Sequence, residues 1–266
     1  MPEILEAETA RALIADRGLR REVRHIEAPD AWFLKRELTP DAARAALAGR
    51  TFTQARRRGK LLLVDTSNTG LASGPTLALH LGMSGRIVID GEAAGDPLLY
   101  AANDENPEWY RFGVRFTDGG SLRLRDPRRL GGVELDPDED RLGPDAFTVT
   151  RAALDQVLTA SRAPVKAVLM NQRRIAGLGN LLTDEVLWRA GIDPVRRADS
   201  LDADERRVLQ RTIRTTLRTL GRRGGSHTGD HMTGRHPGGV CPQDGTELAR
   251  RTVGGRTTYS CPVHQR

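Results

Sequence analysis

The stretch NQRRIAGLGNLLTDEVLWRAGIDP, residues 171–194, constrains the fold of this 266-residue chain more than any other. It predicts two helices meeting at a glycine-rich turn, Gly177-Leu178-Gly179, with Asn180 at the mouth of the second helix ahead of Leu181, Leu182, Val186 and Leu187. Glycine is what a turn needs when its backbone approaches something closely or takes positive φ. Asparagine just before an apolar-periodic run is a helix start signal. The first turn of such a helix exposes unpaired N–H groups carrying partial positive charge, which suits a phosphate. The same shape also fits an ordinary helical hairpin in a core, so the rest of the chain has to decide.

Charge points to a polyanion. Lysine and arginine number 41 against 35 aspartates and glutamates, a net charge of +6 and a pI near 10.0. Most of the excess is arginine, the cation suited to forked contacts with phosphate. No amphipathic basic helix stands out, so nucleic acid is favoured over membrane as the partner. An arginine-heavy, GC-rich proteome is the competing explanation for that composition. The chain shows no signal peptide and no apolar run of about 18 residues, which leads to the expectation of a soluble, cytoplasmic protein. Its length suggests two domains.

Met1 precedes Pro2, so removal of the initiator is expected to leave a secondary amine with Glu3 directly beside it. An α-amine titrates near 8 and is partly unprotonated at neutral pH; amines of this type form Schiff bases with carbonyls. A short helix should follow, to about residue 16. From about residue 20 to 135 the pattern is mostly β, with strand-like patches at 22–27, 61–64, 77–81, 86–89, 113–116 and 122–125. Asp118-Gly119-Gly120 makes a hairpin turn between the last two. Thr39-Pro40 should open a helix running through Ala48. Residues 67–75 and 90–107 have loop composition. Three motifs sit at strand ends: Arg56-Arg57-Arg58-Gly59-Lys60, His80-Leu81-Gly82-Met83-Ser84-Gly85, and Asp126-Pro127-Arg128-Arg129-Leu130-Gly131.

From about residue 142 the pattern turns helical, over 148–160, 164–171, the hairpin and 202–220, after an acidic linker at 136–140. Residues 221–239, glycine-rich and holding His227, His231 and His236, suggest a loop or tether. The last 26 residues carry two knuckles, Cys241-Pro-Gln-Asp244 and Cys261-Pro-Val-His264, around a Gly254-Gly255 turn. A structural disulfide is disfavoured in a cytosolic chain, and a metal site is the better expectation. The layout is that of a zinc ribbon binding one structural Zn²⁺. Cys241, Cys261 and His264 are candidate ligands, with Asp244 or one of the three upstream histidines as the fourth. A segment this short needs such a staple to fold. No internal repeat and no phosphate-binding P-loop pattern occurs.

Taken together, the Met-Pro-Glu start, the Arg-Gly-Lys loop, His-Leu-Gly-Met-Ser-Gly, Asp-Pro-Arg-Arg, Gly-Leu-Gly-Asn and the C-terminal ribbon resemble the formamidopyrimidine/endonuclease VIII family of bifunctional DNA glycosylases and AP lyases. The likeness spans nearly the whole chain. It implies an α+β protein: an N-terminal catalytic β-sandwich domain (1–135), a helix–two-turn–helix domain (142–222), a tether (223–240) and a zinc ribbon (241–266). It implies damaged double-stranded DNA as the partner of a monomeric enzyme. It also implies that Pro2 attacks C1′ of the damaged nucleotide, that Glu3 manages proton transfers, and that Lys60 and Arg256 serve the elimination steps. With Asn180, those two basic residues also fit as phosphate clamps. Met83, Arg128 and Leu130 match residues that fill the space left by an extruded base. Arg111, Arg162 and Lys166 are further candidates for DNA contact.

Some positions depart from the family pattern. Ile4-Leu5 replaces a Leu-Pro pair, and Leu130 stands where enzymes acting on 8-oxoguanine carry phenylalanine. Residues 221–239 lack a counterpart of the long capping loop of those enzymes. The expected preference is therefore for oxidised pyrimidines or abasic sites over 8-oxoguanine. The competing function is a module that binds abasic or distorted DNA without excising bases, and it differs in having no use for a proline amine. An RNA- or ribosome-associated basic protein is a third, weaker alternative, disfavoured by Pro2, Glu3 and Lys60 together.

Overall fold

The computed structural model describes residues 2–67, 73–95 and 106–266, so Met1 and most of the two predicted loops lie outside the described residues. The chain divides into two compact units, one holding Pro2 and Glu6–Glu139, the other Glu3–Leu5 and Asp140–Arg266.

The first unit carries most of α1 (Ile4–Arg17), then β1 (Val23–Glu27), α2 (Pro40–Leu47), β2 (Thr51–Arg58), β3 (Leu61–Ser67), β4 (Leu77–His80), β5 (Arg86–Ile89), β6 (Glu92–Ala93), β7 (Tyr110–Phe116), β8 (Ser121–Arg125) and β9 (Gly132–Leu135). Two antiparallel sheets form, in the orders β1-β7-β8-β5-β6 and β2-β3-β4-β9. Alternation along the strands turns Ile26, Ile87, Phe112, Phe116 and Leu124 of one sheet, and Phe52, Leu62, Val64, Leu79 and Val133 of the other, into one buried cluster. The Phe52 and Phe116 rings meet edge to face across it, centroids 5.5 Å apart, as expected of a sandwich with interdigitating inner faces. Thr39 caps α2 by accepting from the amide of Ala42, with proline at the first turn.

Strand β2 was not among the predicted patches because its sequence, TFTQARRR, has no apolar alternation. Pairing with β3 sets its register, and two of its arginines are neutralised where they stand. Arg56 forks onto Asp65 at 2.6 and 2.9 Å and reaches Glu139 at 3.0 Å, while Arg57 pairs with Glu8 at 3.0 Å.

The second unit contains α3 (Arg151–Thr159), α4 (Val165–Met170), α5 (Asn180–Ala190), α6 (Ala203–Arg223) and the hairpin β10 (Ala249–Val253) and β11 (Arg256–Ser260). Thr150 caps α3, and Asp202 with Glu205 forms a reciprocal capping box on α6, satisfying amides that the helix itself cannot. Its core joins Leu154, Leu169, Ile175, Leu182, Val186, Ile213 and Leu217 with Ile4 and Leu5 from the chain's start.

The expected tether is instead packed structure. Helix α6 continues to Arg223, and two 3-10 turns follow at Ser226–Thr228 and His231–Gly234. The buried Glu185 accepts from the amides of Asp230 at 3.1 Å and His231 at 2.9 Å. The His231 ring stacks on Trp188 at 5.7 Å and contacts the Tyr259 carbonyl at 3.0 Å. Sequence composition shows the glycines but not this distant carboxylate, which supplies the partners that make the segment fold.

Candidate active site and metal centre

Glu3 is the best-defined polar group near the chain's start. It is fully buried, and its carboxylate accepts from the main-chain amides of Gly179 (2.6 Å), Leu181 (2.8 Å) and Leu182 (3.3 Å). These are amides at the start of α5, so Glu3 caps a helix 176 residues away in sequence. Three N–H donors and the positive end of the helix stabilise the charged carboxylate. The glycines follow from this approach. A Cβ on Gly179 would lie 2.3 Å from Cδ of Glu3, and one on Gly177, whose φ is +116°, would lie 2.4 Å from Cδ1 of Ile4. The turn was expected to admit a close neighbour, and that neighbour is the N-terminal segment. The phosphate expected at these amides is corrected accordingly: the anion seated there is Glu3. Pro2, next to it, is also buried.

Asn180 is the first residue inside α5, with Gly179 in the capping position. Its Nδ2 donates to the Thr257 carbonyl at 3.3 Å. The same carbonyl accepts from Arg235 at 3.3 Å and Lys166 at 3.4 Å. Lys166 is not a surface residue. It is fully buried, with Nζ 2.6 Å from Asp184 and 2.6 Å from Thr258 Oγ1, and Arg235 closes on the same aspartate at 2.9 Å. Burial pushes the Lys166 ammonium below its usual range, and Asp184 opposes that shift. The DNA-contact expectation for Lys166 is therefore withdrawn: its charge is spent on tying α4 and α5 to the ribbon strand. Arg162 sits differently, with its side chain 87% exposed. Arg256 is exposed and opens β11 just after the Gly254-Gly255 turn, where both glycines have positive φ.

In the β unit, Lys60 lies half-buried on the two-residue turn that joins β2 to β3. Arg57 braces this turn by donating to the Gly59 carbonyl at 2.8 Å. Met83, Arg128 and Leu130 occupy two turns organised by the fully buried Asp126, which opens one of the three strand-end motifs but to which the sequence assigns no role of its own. Its carboxylate accepts from the Ser84 hydroxyl and from the amides of Leu130 (2.8 Å), Gly131 (2.7 Å) and Arg128 (3.3 Å). Gly82, at φ +60°, lets the turns abut, since a Cβ there would lie 2.4 Å from the backbone of Leu130 and Gly131. Neighbouring tips thus present Met83, 37% exposed, Leu130, 46% exposed, and the exposed Arg128. Arg111 is more inward, donating to the Asp126 carbonyl at 3.0 Å and lying 3.7 Å from Asp30. An aspartate before Pro-Arg-Arg is a turn-forming signal that could have marked Asp126.

Of the alternatives for the fourth ligand, the structure gathers Asp244. The donor atoms of Cys241, Asp244, Cys261 and His264 all lie within 4.8 Å of one another. Asp244 Oδ2 is 3.2 Å from both Cys261 Sγ and His264 Nδ1, and Cys241 Sγ is 3.5 Å from that nitrogen. The surroundings suit a cation held by thiolates. Amides of Gln243 and Val263 and the Trp188 indole N–H point at the two sulfurs at 3.3–3.4 Å. His264 Nε2 meets the Trp188 carbonyl at 3.2 Å, which fixes its ring with Nδ1 toward the cluster. Two sulfurs, an imidazole and a carboxylate at these separations can hold a metal ion.

A β-sandwich unit, a glycine-turn helical hairpin and a cysteine–histidine ribbon define a protein of the helix–two-turn–helix class. The sequence matches the formamidopyrimidine-DNA glycosylase N-terminal domain over residues 1–133 and the formamidopyrimidine-DNA glycosylase H2TH domain over residues 142–231. A formamidopyrimidine-DNA glycosylase from Paracoccus denitrificans is 36% identical, with 100% of each chain covered. Two solved structures of the Lactococcus lactis Fpg are similar over 100% of each chain. One is a complex with an oxidized pyrimidine containing DNA (26% identity, TM-score 0.82), the other a complex with an abasic site containing DNA (25%, 0.81). The chain belongs to the formamidopyrimidine-DNA glycosylase family.

Proposed function

We propose that this protein is a base-excision-repair DNA glycosylase that also cleaves the strand as an AP lyase, working through the amine of Pro2. The observation that carries the proposal is Glu3: a buried carboxylate clamped by three amides, one residue from the nucleophile. In this chemistry the proline nitrogen bonds to C1′ as the N-glycosidic bond breaks and its electron pair leaves with the base. Glu3, its carboxylate oxygens held by three N–H donors, accepts the proton that the amine must lose. It then delivers that proton to O4′ as the sugar opens to an iminium. The iminium acidifies C2′–H, and loss of that proton expels the 3′ phosphate. A second elimination can release the 5′ phosphate.

Lys60 and Arg256, both at tips of β hairpins, act in the elimination steps, and Arg256 with Asn180 holds phosphates. Met83, Arg128 and Leu130 occupy the vacated stack. Arg162 and, less openly, Arg111 add contacts to the backbone; Lys166, buried against Asp184, adds none. Zinc is the metal proposed for the ribbon, in a closed structural role, and elemental analysis should return one zinc per chain. A chain without bound metal would refute this assignment.

The lesion preference proposed is for oxidised pyrimidines or abasic sites, supported by Leu130 in place of an aromatic wedge. The Lactococcus lactis protein has been solved with an oxidized pyrimidine, with an abasic site and with a Fapy-dG containing DNA, so the preference rests on Leu130 and not on that likeness. The test is incubation with an abasic-site duplex and borohydride, with the crosslink located by mass spectrometry. An adduct on Pro2 is expected. DNA binding without an adduct, by protein whose initiator methionine is gone, would favour the non-excising binder. Matched duplexes carrying thymine glycol or 8-oxoguanine test the preference, and dominant release of 8-oxoguanine would sink it.

A further inference from the structure

We propose that Trp32 is a further DNA contact, stacking on a nucleobase of the strand opposite the lesion; this deepens the function proposed above and rests on it. The turn Ala31–Phe33 places two consecutive aromatics in opposite settings. Phe33 is fully buried in the sandwich core, whereas Trp32 is 58% exposed. The backbone around them is pinned, with Leu34 bridged to Val133 and the Lys35 amide donating to the Val133 carbonyl at 2.8 Å. The indole is thus held outward by an anchored turn, although burial is the usual fate of a large aromatic.

Cations surround it. Lys35 Nζ lies 3.8 Å from the indole centroid and the Arg129 guanidinium 5.1 Å from it. Arg129 is itself fixed, at φ +59°, by a forked bond to Asp30 with both contacts at 2.5 Å. Trp32 forms one wall of a groove of about 580 Å³ shared with Pro29, Pro107, Tyr110, Arg111 and Arg129. That volume is in the range of sites for base-sized groups. Aromatic faces interleaved with cations are the chemistry of unpaired nucleic-acid strands, where bases stack and phosphates pair.

Two details choose the occupant. Arg129 stands between Arg128 and Leu130, so the groove is continuous with the turn proposed to fill the vacated stack. The strand reaching Trp32 is then the one that retains the orphaned base. Glu108 and Asp30 also line the groove. Asp30 is neutralised by Arg129, but the Glu108 carboxylate disfavours a phosphate on its wall and suits the amino edge of a base.

The test measures binding to a duplex carrying a tetrahydrofuran abasic-site analogue, with 2-aminopurine placed in turn opposite the analogue and at its two neighbours on that strand. Trp32→Ala should weaken binding about tenfold, the scale of one lost base–aromatic stack, and Trp32→Phe should recover most of it. Quenching of 2-aminopurine at one of the three positions should be present with the parent protein and absent with Trp32→Ala. Unchanged affinity and an unchanged quenching profile in Trp32→Ala would overturn the proposal while leaving the parent's lesion binding intact. If the parent prefers the lesion duplex no more than an undamaged one, the underlying function falls and this contact with it, a result recognisable without any variant.

Discussion

Glu3 and Asp126 are the same physical device put to different uses. Each is fully buried, and each carboxylate is satisfied by main-chain N–H groups. Asp126 gathers donors four and five residues ahead of it and a hydroxyl 42 residues back, and the result is a pair of turns with Met83, Arg128 and Leu130 at their tips. Glu3 gathers donors at the start of α5, and the result is a carboxylate held still one residue from Pro2, the proposed nucleophile. In one case the carboxylate exists to shape the loop; in the other the loop exists to hold the carboxylate. A buried, amide-clamped acid therefore does not by itself announce chemistry. What separates the two is the neighbour: the proposed nucleophile at one, a rim of exposed side chains at the other.

Exchanging oxygen for an amide group at each position gives the largest contrast. Glu3→Gln keeps the shape and one acceptor, so it should fold, but it cannot shuttle a proton. Strand cleavage at an abasic site should fall by about 10²-fold or more, with stability lowered by about 2–4 kcal/mol, because at least one of the three amides loses its acceptor. Asp126→Asn should cost as much stability but spare the chemical step. One or more buried amides lose their acceptor, costing about 2–4 kcal/mol in urea unfolding, and lesion affinity should drop because the two turns loosen. Rates at saturating DNA would then change less than affinity does. A Glu3→Gln protein that cleaves at the parental rate would break the comparison, since Glu3 would then be only a cap.

Gly179→Ala is the next test, because it moves the carboxylate without altering it. The added methyl would sit 2.3 Å from Cδ of Glu3, so the carboxyl or the turn must shift. Displacement of a catalytic group by about 1 Å can cost 10²-fold, and crowding in a packed site about 1–3 kcal/mol. Single-turnover cleavage should therefore fall well beyond what the stability loss explains. Parental cleavage by a folded Gly179→Ala protein would show that the position of Glu3 is not critical.

The sequence exposed one side of each of these relations. Local signals were reliable where local physics decides. β5 covers the strand-like patch 86–89, the 118–120 turn closes β7 onto β8, and Thr39-Pro40 caps α2. Gly177 and Gly179 announced that something must come close, but not what, because the partner is at the far end of the chain. Charge was the least legible feature. Lys166 carries the same formal charge as Lys60, yet it is buried against Asp184, whereas Lys60 sits on a hairpin turn. The arginine run hid β2 because the partners of Arg56 and Arg57, namely Glu8, Asp65 and Glu139, come from three separate elements. The fourth ligand at the ribbon was left open by spacing alone; Asp244 joins the cluster, while His231 is taken up by the Tyr259 carbonyl and the Trp188 ring.

The smallest expected effect comes from a carboxylate held by a cation at the surface. Asp118 forks onto Arg21 with both contacts at 2.7 Å and accepts from the Gly120 amide at 2.9 Å. The Arg21 guanidinium, then that amide, pull its carboxyl down to about 2. Because the folded value lies below the unfolded one, near 3.8, the unfolded chain takes up the proton first. The contribution of Asp118 to stability is complete above about pH 4 and is lost as pH falls through about 2. Its side chain is 52% exposed, so solvent and salt screen the pair. Asp118→Asn should lower Tm by no more than about 2 °C at pH 7, and the gap from the parent should close near pH 2 and narrow in 1 M salt (about a 3 Å screening length). A gap as large as that of Asp126→Asn, or one that persists at pH 2, would mean that exposed ion pairs and buried amide clamps stabilise this fold alike. The distinction drawn from Glu3 and Asp126 would then have to rest on chemistry alone.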